Sequence, residues 1–161
     1  MDRGKKSAAR FASIGLWLFL LLAGPVTAAA GPDAWLVLAT DGSERVVACL
    51  PLQSGEPFHL EYIDSIYLQP VRESFVVEQG EGLFIIRVET PSVGVFEYLG
   101  LIPDEPGKVR LRRKLGDIRL LSSDYRTHRL TVSGTDIRLK GLGLGGVPLI
   151  VSVLTDRQSC P

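Results

Sequence analysis

The stretch from Tyr62 to Phe75 holds the densest set of groups able to bind or react: Tyr62, Asp64, Ser65, Tyr67, Gln69, Arg72, Glu73 and Ser74 fall within fourteen residues. Glu73 sits between Val71 and Phe75, on the face those two apolar residues define in a strand. A carboxylate on an apolar face is costly unless hydrogen bonds satisfy it. Tyr62, the Ser65 hydroxyl and nearby backbone N–H groups are the donors within reach. Two roles follow. Glu73 either staples the connection between two strands, the preferred reading, or faces a ligand. Asp64, Ser65 and Glu73, with His59, would also be the centre of an extracytoplasmic hydrolase or metal-dependent enzyme. A triad of Ser65 or Ser133 with His128 and Asp124 can be drawn, but no Gly-x-Ser-x-Gly elbow exists to activate the serine.

His59 and Glu61 share a strand face and offer two metal ligands, where a zinc site takes three or four. His128 is the only other imidazole in the chain, so a polar strand face is preferred. The run Gly141-Leu142-Gly143-Leu144-Gly145-Gly146 has the look of a phosphate-cradling loop. Such a loop works at the N-terminus of a helix, and Pro148 with a β-type apolar run follows instead. The residues thus assign no catalytic group, no metal and no cofactor, and the chain reads as a non-enzyme.

The elements that must position these groups are strands. Period-two alternation marks Phe58-Leu60-Tyr62, Phe75-Val77, Phe84-Ile86-Val88, Val109-Leu111, Ile118-Leu120, Leu130-Val132 and Ile137-Leu139. Val147 to Leu154 is nearly continuous in apolar residues and reads as a more buried strand with an early proline. Turn signals stand between the runs: Asp41-Gly42, Glu78 to Gly82, Pro103 to Gly107, and Ser133-Gly134. No stretch after residue 30 shows a capped helical period. The expected fold is all-β, an antiparallel β-sandwich of about ten short strands forming one domain over residues 31–161.

The chain has 161 residues with 18 basic and 18 acidic side chains, and that neutrality is a sum of unlike parts. Residues 1–30 carry Arg3, Lys5, Lys6 and Arg10, then an apolar run from Ile14 to Ala23, Pro25, and small residues up to Ala30. This is the layout of a secretory signal, with cleavage expected before Gly31 or before Ala29. The alternative is an uncleaved anchor over residues 11–30, long enough to cross a bilayer, and the only membrane attachment expected. Either way the domain lies outside the cytoplasm. Residues 31–107 hold three basic and thirteen acidic side chains, while residues 108–161 hold eleven basic and four acidic. Opposite charges interleaved across one sheet explain this split. A basic face at Lys108, Arg110, Arg112, Arg113 and Lys114 for an anionic ligand or lipid, as in a structural envelope module, is the competing reading. A nucleic-acid partner is not expected of a mature domain with net negative charge. Cys49 and Cys160 are the only cysteines. In an oxidising compartment they either pair or remain as a buried apolar thiol and a terminal one.

Phe58-x-Leu60-x-Tyr62, Ser65, then Pro70-Val71-x-Glu73-x-Phe75, then Ser92-x-Gly94 form a spaced pattern, with His128-Arg129-Leu130 later in the chain. In this pattern the chain resembles a family of small exported bacterial proteins, of unknown function, encoded beside TAXI-type TRAP transporters. The likeness spans residues 35–154. It marks Tyr62, Asp64, Ser65, Glu73 and Gly94 as motif positions, with Asp64 standing where the family pattern has His and Ile66 where it has Val. It implies an extracytoplasmic accessory or binding module whose partners are TRAP transporter subunits or their solute.

Overall fold

In the computed structural model, residues 31–43, 45–121, 128–142, 144–154 and 160 are described. The export or anchor segment expected over residues 1–30, the candidate Asp124 and Gly143 of the glycine run lie outside them. Ten strands form two antiparallel sheets, and no helix among the described residues is long and apolar enough to cross a membrane.

The four-stranded sheet has the order β2-β1-β10-β7, from Val46–Leu52 (β2), Ala34–Thr40 (β1), Pro148–Leu154 (β10) and Ile118–Leu121 (β7). The six-stranded sheet has the order β6-β5-β4-β3-β8-β9. Its strands are Lys108–Leu115 (β6), Gly82–Glu89 (β5), Pro70–Glu78 (β4), Pro57–Ile63 (β3), Arg129–Val132 (β8) and Thr135–Arg138 (β9). Leu36 and Leu38 of β1 and Leu149 and Val151 of β10 share one apolar cluster with Phe58, Leu60, Phe75, Val88 and Leu130 of the larger sheet. The two sheets therefore close on a common core, as alternating strands require. Phe58 and Phe75 stack at its centre, with ring centroids 5.2 Å apart.

The connections follow local chemistry. Gly42 turns β1 into β2 with a positive φ of 90°. Ser133 and Gly134, at φ of 46° and 75°, give the two left-handed residues that a tight hairpin between β8 and β9 needs.

Two sequence expectations are corrected. A helix does occur after residue 30: Val93–Tyr98 (α1) is short, and Ser92 caps it by accepting from the Val95 N–H. It buries Val95 and Phe96 only, too few positions to show a helical period in the sequence. The last strand is also less buried than its composition suggests. Leu149 and Val151 enter the core, whereas Ile150 and Ser152 alternate with them at intermediate exposure.

Cys49 of β2 and Cys160 are joined in a disulfide with Cα atoms 6.1 Å apart. It fastens the end of the chain to the second strand.

The charge halves interleave. In register across the large sheet lie Arg129, Glu61, Arg72, Glu89 and Lys108, alternating in sign. Arg129 bonds to Glu61, and Arg112 reaches Glu78 at 2.6 Å and Glu81 at 2.9 Å while covering the Phe84 ring. Lys108 and Arg110 both engage Glu105. Three of the five cations in the expected basic cluster are thus committed to carboxylates of the acidic half.

Candidate functional site

A cleft of about 440 Å³ opens between β7 and the inner face of the large sheet. Leu60, Tyr62 and Ile63 of β3, Glu73 of β4, Ile118 to Leu121 of β7, and His128 line it, with Asp64 and Ser65 at the β3–β4 connection. Among the described residues β7 is an edge strand paired only with β10, and its residues line the cleft together with those of β3 and β4.

Each polar group has a structural cause for its place. Glu73 stands opposite Leu60 on β3 and Val88 on β5, both core residues, so the register turns its side chain inward. Tyr62 shares the inner face of β3 with Leu60 and donates its hydroxyl to Glu73 Oε1 at 3.2 Å. Burial raises the Glu73 carboxyl above the usual carboxylate range, and the Tyr62 hydrogen bond opposes that rise. Burial, reinforced by Glu73, pushes the Tyr62 phenol far upward, so it stays a neutral donor. His128 immediately precedes β8, where its carbonyl accepts from the Leu139 N–H at 3.1 Å and extends the β8–β9 hairpin. Its side chain is buried, and desolvation lowers its pKa. The His128 and Tyr62 rings lie 6.3 Å apart, tilted by 58°.

Of the donors expected for Glu73, Tyr62 is the one it takes, and the β3–β4 connection is stapled by a different residue. Asp64 Oδ1 accepts from the Ile66 N–H at 3.0 Å and the Tyr67 N–H at 2.7 Å. The Asp64 backbone adds a bond to Gln69 and another from Leu68, which closes the turn at a positive φ of 53°. Asp64 borders the cleft while its carboxylate holds the turn. Gly94 serves the same neighbourhood: a Cβ there would lie 2.5 Å from Tyr67 Cε1, so its absence lets that ring rest on the start of α1.

Asp64, Ser65 and Glu73 therefore meet at one cleft, and His59 does not join them. His59 lies on the outer face of β3, its Nδ1 3.0 Å from Ser74 Oγ, and Glu61 beside it pairs with Arg72 and Arg129. Among the described residues no group of three His, Cys, Asp or Glu side chains is placed to hold a metal ion. Ser133 does not line the cleft; its hydroxyl bonds to Glu56 and the Pro51 carbonyl. A 3-10 turn over Leu139–Leu142 takes in the first two residues of the glycine run, and among the described residues the element that follows is β10 rather than a helix.

His128 as the third wall of the Glu73–Tyr62 pair, and β7 as the cover, were missed by the spacing of residues. Only the match at His128-Arg129-Leu130 hinted at the first. No family model, curated protein or solved structure matches this chain.

Proposed function

We propose that this protein is an exported, non-catalytic β-sandwich binding module of the cell envelope, serving TRAP-type solute uptake through its transporter subunits or their solute. The observation that carries the binding reading is the cleft itself. It is large enough for a small molecule, mostly apolar, and furnished with a few inward polar groups, which is the usual make-up of a ligand site. The extracytoplasmic context rests on the layout of residues 1–30 and agrees with the disulfide, a bond that persists in oxidising compartments. The transport context rests on the family resemblance.

Copurification from membranes of the native host, with solute uptake measured in a deletion strain, tests the transport context. Recovery of TRAP components and reduced uptake are expected. Recovery of none, with uptake unchanged, refutes it.

One observation favours a second reading. Ser65 and His128 border the same cleft, so a hydrolase centred there has a serine and an imidazole at hand. Assay of ester substrates with the wild type and Ser65→Ala separates the two. The binding reading expects no turnover from either protein, whereas turnover lost in Ser65→Ala establishes the enzyme.

A further inference from the structure

We propose that the cleft between β7 and the six-stranded sheet takes a small organic cation, an ammonium group on an apolar body, with Glu73 as its counter-ion. This rests on the binding reading above and names the chemical class of the ligand.

The charge placement argues for it. Glu73 is a carboxylate turned inward among Leu60 and Val88, and Tyr62, bonding Oε1, is its one hydrogen-bond partner among the described residues. Oε2 therefore remains for a ligand. A half-buried carboxylate with a single neutral donor is poorly compensated, and a cation beside it would supply the missing interaction. Among the described residues no protein cation fills that role. Arg119 borders the cleft, but it lies in register with Ile150 and its guanidinium goes to Asp41, 3.0 Å away. His128 is buried, and its lowered pKa keeps the imidazole neutral at neutral pH.

The rest of the cleft suits the apolar body. Leu60 and, from β7, Ile118 and Leu120 form the walls, and all three pack with the core cluster. The Tyr62 and His128 rings supply polarisable faces, and an aromatic face within about 6 Å of an ammonium adds attraction. A metal ion is a poorer occupant, because no trio of ligating side chains is assembled there among the described residues.

The pH behaviour follows from the groups around Glu73. Among the described residues they are Tyr62 from β3, Asp64 from the connection and His128 before β8, while β5 presents Val88 and β7 presents Ile118 and Leu120, with Arg119 at the border paired to Asp41. Tyr62 does not titrate near neutral pH, and Asp64 holds the turn. Binding should strengthen as pH rises from acid toward neutral and Glu73 ionises.

The test is a two-dimensional amide NMR titration of the full domain with benzylammonium, benzyl alcohol and benzoate, a series alike in shape and different in charge. Benzylammonium is expected to shift the amides of Tyr62, Ser65 and Leu120, the other two far less. Glu73→Gln, which keeps an acceptor for Tyr62 and so preserves the fold, is expected to weaken benzylammonium roughly tenfold or more. Benzoate binding as well as benzylammonium, or Glu73→Gln leaving affinity unchanged, overturns the cation class while leaving the cleft a binding site. Shifts produced by calcium or zinc alone at these amides, exceeding those of benzylammonium, overturn it in favour of a metal. No cleft amide moving with any probe overturns both the class and the binding reading.

Discussion

Glu73 sets the energetics of the site. Its carboxyl pKa is raised in the fold, so the folded state binds a proton more readily than the unfolded chain does. Its ionisation therefore costs stability at neutral pH, and that cost is relieved as pH falls through the folded pKa. His59 and His128 act in the opposite sense. Burial lowers both pKa values from 6.5, so the stability they contribute is present above that pH and is lost as pH falls through and below it. Glu73→Gln removes the first effect alone. Thermal melts should show the variant more stable than the wild type at neutral pH, with the difference shrinking on acidification. A variant less stable at neutral pH would mean that the charge is already compensated. Tyr62→Phe leaves the carboxyl without its donor and should cost about 1–3 kcal/mol in denaturant unfolding. The inward position of Glu73 was legible in the sequence because Val71 and Phe75 flank it at period two. Its partner was one of three donors in reach, since choosing among them required the cross-strand register.

At the scale of elements, the β3–β4 connection carries more of the site than either strand end. Asp64 ties two N–H groups, Leu68 takes a left-handed turn, and Tyr67 rests over Gly94. The Asp64 carboxylate thus performs turn chemistry that a neutral imidazole, an acceptor through one nitrogen, would perform differently. Asp64→Ala should cost about 1–3 kcal/mol and displace Ser65 at the cleft mouth, read by amide shifts and unfolding. Gly94→Ala should cost about 1 kcal/mol, at the low end for overpacking, because the Tyr67 ring is partly exposed and can swing aside. Strand identities and most hairpins could be read from alternation and turn residues. Helix α1 could not, since six residues with two buried positions make no pattern, and only Ser92 marks its start. β7 as a cleft cover was equally hidden. Ile118 and Leu120 alternate like any half-buried strand, and nothing local says that they join the other sheet.

The whole molecule resolves the charge division into an alternating ladder on the large sheet. Such exposed pairs stabilise weakly and are screened by salt, so their main effect is to fix strand neighbours rather than to raise stability. The disulfide contributes more. It links positions 111 residues apart, and closing a loop of that size is worth about 4–5 kcal/mol in the chain-entropy model. Cys160→Ser and the reduced wild type should therefore unfold at similar, lower denaturant concentrations. A variant as stable as the oxidised wild type would show that the tie adds nothing to the fold.

The binding reading stands on occupancy of the cleft by a ligand. Native mass spectrometry of the protein isolated from its host envelope tests it most directly, beside a Leu60→Trp variant that fills the cleft. A small-molecule adduct is expected on the wild type and is expected to be missing from the folded variant. An adduct retained by Leu60→Trp, or none on the wild type under conditions that preserve solute complexes, would contradict that reading.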